Sequence, residues 1–339
     1  VGHHQVERAQ PFQQTDAPTE AGTRSLPLYG DRVVRDEMTL ETDGIALAGT
    51  LTLPTEPAAP LVIGVHGAEG STRQFHLFRH LESTLPPAGV ATLVFDRRGE
   101  GESGGDGSAS SYEQFAADVR AWMRFCAADK RVDPARIGLW GISQGGWIAP
   151  LAAASSPAPA FLVAVSAAGV TPGKQMSFAT RALLREAGYG DEAVDQMLAL
   201  RRAMDELSLG RMSVSDAQGL LDSAAGEPWF ELAFVPPDAS LIDASWAEEM
   251  EFDIRPALRT LDLPVLLFFG EHDRWIPVAE SADIWRSDLG ANADLTVVSL
   301  PGTGHAATYA TDPSDWLEHG TVSPDYERVL LAWLRERLF

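Results

Sequence analysis

Six short, nearly unbroken apolar runs recur along the chain, at residues 61–65, 91–95, 137–140, 161–165, 265–269 and 295–300, with helix-length segments between them. Runs of this kind lack the polar alternation of a half-exposed sheet and suit strands buried on both faces, which a parallel sheet between two helical layers requires. The intervening segments are helical in pattern. Tyr112, Phe115, Val119, Trp122, Met123 and Cys126 fall on one face, and Ser111 with Gln114 forms a capping box at the start. The last segment has Ser323 as N-cap, Pro324 at the first helical position, and Arg335 and Arg337 near its negative end. Strand and helix in alternation predict an α/β fold with right-handed crossovers.

Two stretches depart from this rhythm. Residues 33–53 carry short Val, Thr, Ile and Leu runs interrupted by Asp43-Gly44, which predicts an antiparallel hairpin turning at that pair. Between Val165 and Val265 lie 99 residues, far more than one crossover needs. Their helical periodicity, punctuated by Gly188, Gly210 and Gly226, predicts a helical insertion able to cover a site. The expected organisation is an irregular polar arm over 1–30, a sheet domain over 31–169 and 261–339, and a helical cap over 170–260. His3-His4 in the arm reads equally as a tag remnant or a metal pair.

Charge and cysteine content narrow the function classes. Lys and Arg number 26 against 48 Asp and Glu, a net charge of −22 that repels polyanions, so nucleic acid is not an expected partner. The single Cys126 excludes an intramolecular disulfide and any cysteine-based metal site, and its apolar helical position makes it a buried spectator. The richest apolar stretch, 148–170, is broken by Pro150, Pro157 and Pro159, so no membrane span is expected. No charged-then-apolar leader is visible, so a signal peptide is expected to be absent or removed. Cytoplasmic and exported locations both stay open, as does the oligomeric state.

The chemistry concentrates after the strands. The run at 137–140 leads directly into Gly141-Ile142-Ser143-Gln144-Gly145-Gly146, with a helix expected from Trp147. A serine in so tight a strand-to-helix turn needs small neighbours, and its hydroxyl would project from the carboxyl edge of the sheet. Serine is a weak nucleophile without a base, and the base needs an orienting carboxylate. His305, in the glycine loop after 295–300, is the expected base, and Asp273, after 265–269, the expected acid. His272 is the weaker alternative base and Glu271 the alternative acid. Gln144 and Ala68 are expected to supply backbone N–H groups to an oxyanion, with His66 shaping the loop. Glu69 beside that hole would oppose the charge it stabilises unless it pairs with Arg73 or Arg97 and turns outward. Gly99, Gly101 and Gly104 match a nucleotide-binding spacing by letter, but Glu100 and Glu102 would repel a pyrophosphate, so residues 96–105 read as a structural turn.

On His66–Gly70, Asp96–Gly105, Gly141–Pro150, Gly270–Asp273 with Ile276-Pro277, and Gly304-His305, the chain resembles the serine α/β-hydrolase superfamily. More narrowly it resembles bacterial carboxylesterases with a G-x-S-Q-G-G-W elbow, related to prolyl-oligopeptidase and S33-type catalytic domains. Ala68-Glu69-Gly70 stands where relatives often carry Ser-Gly-Pro. The resemblance implies an α/β-hydrolase fold and acyl transfer to water with no metal or organic cofactor, acting on a small-molecule ester. A peptidase or amidase and an acyl-CoA thioesterase are the competing readings, and a non-catalytic binding protein is the remote one. Trp229, Phe230 and Phe234 either line an apolar substrate pocket or pack the insertion.

Overall fold

A computed structural model of the chain describes residues 33–56, 58–68, 70–242, 245–309 and 319–339; the arm over 1–30, with His3-His4, and Glu69 lie outside the described residues. The chain opens with the hairpin β1 (Val33–Thr42) and β2 (Ile45–Pro54), turning at Asp43 and Gly44, both at positive φ as such a two-residue turn demands. It continues through β3 (Ala59–Val65), α1 (His76–Thr84), β4 (Ala91–Phe95), α2 (Tyr112–Ala127), β5 (Val132–Ile142), α3 (Gly145–Ala153) and β6 (Leu162–Val165). A helical insertion follows, with α4 (Pro172–Glu186), α5 (Asp191–Ser208), α6 (Val214–Ala224), α7 (Ser245–Met250) and the short α8 (Arg255–Leu258). The sheet resumes with β7 (Val265–Gly270), α9 (Val278–Asp288) and β8 (Leu295–Leu300), and α10 (Pro324–Leu338) ends the chain.

The eight strands run in the order β1-β2-β4-β3-β5-β6-β7-β8. Only the pairs of β2, with β1 and β4, are antiparallel; all others are parallel. From β3 the chain moves outward to β4 on one side, and from β5 it moves outward to β6 on the other. The carboxyl ends of β3 and β5 thus flank a topological switch point, the place where open α/β sheets bind ligands.

Alternate residues of the central strands feed two cores. In β7, Val265, Leu267 and Phe269 join the apolar cluster on one face, while Leu266 and Phe268 join the other. Helices therefore cover both faces, as the unbroken apolar runs require. Strand β5 starts earlier than its apolar run because Val132 pairs with Ala59 across a register shift. The capping box at Ser111 and Gln114 is present in full. Ser323 occupies the N-cap of α10, but its side chain makes no cap bond and lies 3.4 Å from the Tyr309 hydroxyl. Cys126 is buried in the main core, where desolvation pushes its thiol up to about 12. The insertion holds its own apolar cluster, with Leu184, Met197, Leu221 and Trp229, whereas Ile254 and Leu258 around α8 belong to the core of the sheet.

One buried polar contact crosses the layer under α10: the Trp140 indole N–H donates to the Tyr326 hydroxyl at 2.9 Å. Replacing Tyr326 with Phe leaves that indole buried and unpaired, so stability should fall by about 1–3 kcal/mol, read as a lower midpoint of chemical unfolding.

Candidate active site

The carboxyl end of β5 is held in a conformation that only its neighbours make tolerable. Ser143 has φ +54°, in the left-handed region, where a non-glycine residue costs about 1–3 kcal/mol. Its N–H donates to Val165 O at the end of β6 (3.0 Å), and its carbonyl accepts from Gly146 N–H (2.7 Å). The flanking glycines are sterically required. A Cβ on Gly145 would stand 2.5 Å from Val65 O, and one on Gly141 would stand 2.5 Å from Gly145 O. The turn is wedged between the ends of β3 and β6, and α3 begins two residues before Trp147.

The loops after β7 and β8 are zipped together by backbone bonds, Glu271 N–H to Leu300 O (3.0 Å) and His272 N–H to Thr303 O (2.9 Å). Between them the Asp273 carboxylate, with its side chain fully buried, accepts from the amides of Trp275 (2.8 Å) and Ile276 (3.1 Å). It also accepts from His305 Nδ1, at 3.0 and 3.1 Å to its two oxygens. That contact fixes which imidazole nitrogen carries the proton and leaves Nε2 as the basic one. The two alternatives go elsewhere: Glu271 accepts from Gly302 N–H (2.9 Å) and steadies the histidine loop, while the His272 side chain is 70% exposed. Ser166, directly after β6, donates from its hydroxyl to His305 O (2.7 Å) and from its N–H to Phe268 O (2.8 Å). Ser143 and His305 are thereby tied to consecutive residues, Val165 and Ser166, of one strand end.

The loop after β3 is shaped by His66. It is buried, its Nε2–H donates to Phe95 O, and its ring packs edge-on against Phe78 and Phe95. Burial first, and then the nearby Arg97 charge, hold its pKa down to about 3, which makes it a neutral scaffold residue. Among the described residues, neither the Ala68 nor the Gln144 amide donates a hydrogen bond.

The glycine loop after β4 is a structural turn. Asp96 accepts from the amides of Arg73 (2.8 Å) and Glu102 (2.9 Å), and Arg98 pairs with Asp118 (2.8 Å) and Asp43 (3.2 Å). Of the two cations expected to answer Glu69, Arg73 is engaged by Glu37, Asp96 and Glu102. Arg97 does something the sequence reading missed. Its guanidinium lies 4.8 Å above the Phe115 ring and donates to Gln144 Oε1 (2.8 Å) and Gly67 O (3.1 Å). Burial lowers its pKa, an effect that Glu100 and Glu249 partly offset. The Gln144 side chain also donates to the Tyr112 hydroxyl (3.4 Å), which Glu249 of α7 engages as well. The one sequence signal for Arg97 was its position, two residues past a strand end.

The aromatic residues of the insertion divide. Trp229 is 3% exposed in the insertion's own cluster, which Phe230 packs against. Phe234, at φ +49° and 42% exposed, stacks edge-on against Trp275 at 5.7 Å, and the Trp275 ring lies 6.4 Å from that of His305.

A mostly parallel sheet with a serine elbow after β5 and an acid–histidine pair after β7 and β8 defines an α/β-hydrolase. The family model described as serine aminopeptidase, S33, matches residues 56–312, and the chain belongs to that family. It is 32% identical over 147 residues to an uncharacterized protein of Mycobacterium tuberculosis, spanning 43% of this chain and 48% of that one. It is 33% identical over 93 residues to the quorum-quenching protein AidA of Acinetobacter baumannii, spanning 27% and 30%. The chain thus spans less than half the length of these relatives. Among solved structures, an esterase of Pyrococcus furiosus superposes with a TM-score of 0.58 at 18% identity, over 95% of this chain and 96% of that one. Est1E of Butyrivibrio proteoclasticus with ferulic acid bound gives 0.55 at 17%, over 88% and 96%. A proline iminopeptidase of Mycobacterium smegmatis gives 0.56 at 17%, over 89% and 98%. At these identities the likeness is one of fold. No helix among the described residues is long and apolar enough to cross a membrane.

Since the His66 pKa lies near 3, against an ordinary 6.5, the unfolded chain binds a proton between those values that the folded chain does not. Stability from this group therefore falls as pH drops through that window, by at most about 1.4 kcal/mol per pH unit. His66→Gln keeps a donor to Phe95 O without the titration, so the acid limb of a stability–pH curve should become shallower over that range.

Proposed function

We propose that this hydrolase cleaves carboxylic esters through an acyl-enzyme on Ser143. The observation that carries the reading is the buried Asp273–His305 pair, set on the same sheet edge as a serine held at positive φ. In this mechanism His305 takes the Ser143 proton at Nε2 as the hydroxyl attacks the ester carbonyl. Asp273 holds the tautomer and stabilises the imidazolium. The Gln144 and Ala68 amides receive the oxyanion, and the proton then passes from His305 to the departing alcohol. Water, deprotonated by the same histidine, releases the acid.

The family name and the iminopeptidase-like fold keep amide cleavage as a second reading. An aminopeptidase needs a free carboxylate for the substrate's amino group. The carboxylate that α7 directs toward this region, Glu249, is engaged with Tyr112 and lies in the field of Arg97, which favours the ester. Coenzyme A esters are disfavoured by the net charge of −22, since their phosphates need basic contacts. The insertion over 170–260 acts as a cap, and Phe234 with Trp275 forms an aromatic wall suited to an apolar acyl or alcohol group.

Hydrolysis of p-nitrophenyl acetate through decanoate, measured beside aminoacyl anilides, tests the substrate class; faster anilide cleavage would reverse the assignment. Asp273→Asn should lower kcat by about 10⁴-fold, while Glu271→Gln should stay within a few-fold of wild type. Equal losses would return the acid's identity to question. Phe234→Ala should lower kcat/KM for the octanoate ester by roughly tenfold, as loss of an apolar wall does, with little change for acetate.

A further inference from the structure

We infer that Arg97 is a positioning residue of the oxyanion hole: its guanidinium holds the Gly67–Ala68 peptide in the orientation that turns the Ala68 N–H away from Arg97 and leaves it available to substrate. The inference rests on the esterase reading above and goes further, assigning a role to a loop that otherwise reads as a turn.

In a trans peptide the C=O of one residue and the N–H of the next point in opposite directions across one plane. Arg97 donates to Gly67 O at 3.1 Å. The Ala68 N–H belongs to the same plane and so points away from the guanidinium. Rotating that amide by half a turn would bring its N–H against a cation and leave the carbonyl aimed where an oxyanion forms. A second bond, from Arg97 to Ala68 O at 3.5 Å, is long and contributes less. Gly67 permits the rotation sterically, so something other than backbone preference must select one orientation.

The same guanidinium nitrogen donates to Gln144 Oε1 at 2.8 Å. One group thus touches both segments whose amides are assigned to the hole, the loop after β3 and the residue after the nucleophile. It is itself held, stacked over Phe115 at 4.8 Å with its Nε buried and without a partner among the described residues. Its positive charge also lies at the carbonyl end of the Gly67–Ala68 peptide, which favours negative charge developing at the N–H end of that peptide. Lysine cannot reproduce the arrangement fully, because a single ammonium lacks the planar fork of donors that a guanidinium carries over Phe115.

The experiment compares wild type, Arg97→Gln, Arg97→Lys and Ser143→Ala, using p-nitrophenyl butyrate turnover, inhibition by an alkyl trifluoromethyl ketone, and inhibition by butyrate. The ketone forms a tetrahedral adduct whose oxyanion occupies the hole; butyrate reports ground-state binding. Arg97→Gln should lower kcat by about 10²-fold, the size of losing one oxyanion donor, and weaken the ketone in parallel. KM and butyrate inhibition should stay within about threefold. Arg97→Lys should recover to within about tenfold of wild type. A merely structural role would lower thermal stability and affect ketone and butyrate alike. Wild-type ketone affinity in Arg97→Gln, with Ser143→Ala inactive, would overturn this inference and leave the esterase reading standing. An active Ser143→Ala would overturn the esterase reading itself.

Discussion

The turn that carries Ser143 is the constraint around which the rest of the structure is arranged. A serine at φ +54° is locally unfavourable, and what retains it is the sheet: the Val165 carbonyl receives its N–H, and the Val65 carbonyl leaves no room for a Cβ on Gly145. These partners sit at the ends of β6 and β3, the two neighbours of β5 in the sheet. The strain is therefore held by three parallel strands whose carboxyl-terminal halves are apolar and buried. Such rigidity suits a site whose reacting groups must sit within fractions of an ångström of their productive positions.

From that turn the site extends in two directions along the sheet edge. On one side β6, β7 and β8 deliver Ser166, Asp273 and His305, linked through short hydrogen bonds that do not pass through solvent. On the other side β3 and β4 deliver His66, Gly67, Ala68 and Arg97. The protein's electrostatics follow this geometry. It carries an excess of 22 acidic charges, yet the three arginines of the β3–β4 edge are each engaged. Arg73 and Arg98 brace the turn after β4, and Arg97 alone reaches the peptides beside the elbow. A neutral, desolvated His66 behind the same loop adds no competing charge.

Much of this was legible in the sequence because its causes are local. The unbroken apolar runs give the buried strands, Asp43-Gly44 gives the hairpin turn, and Ser111 with Gln114 gives the start of α2. The serine motif was readable because its glycines and serine fall within five residues, although the group that excludes a Cβ on Gly145, Val65 O, comes from a distant strand. What the sequence could not convey depends on strand order and register. Arg97 meets Gly67 and Gln144 because β4 lies beside β3 and β3 beside β5, an order that differs from the order along the chain. Glu271 and Asp273 are both carboxylates at one strand tip, and only the backbone bonds between two loops send one to Gly302 and the other to His305. Helical periodicity likewise marks Trp229 and Phe234 as apolar without separating the residue that packs inside the insertion from the one that reaches Trp275.

The proposed role of Ser143 as the nucleophile, served by His305 and Asp273, can be read out by covalent trapping. The protein is treated with a fluorophosphonate until esterase activity is lost, digested, and analysed by peptide-resolved mass spectrometry. A single adduct on Ser143 is expected, forming at a rate that collapses when His305 is replaced by Ala. Complete inactivation with Ser143 unmodified, or labelling of Ser143 that is indifferent to His305, would contradict that role.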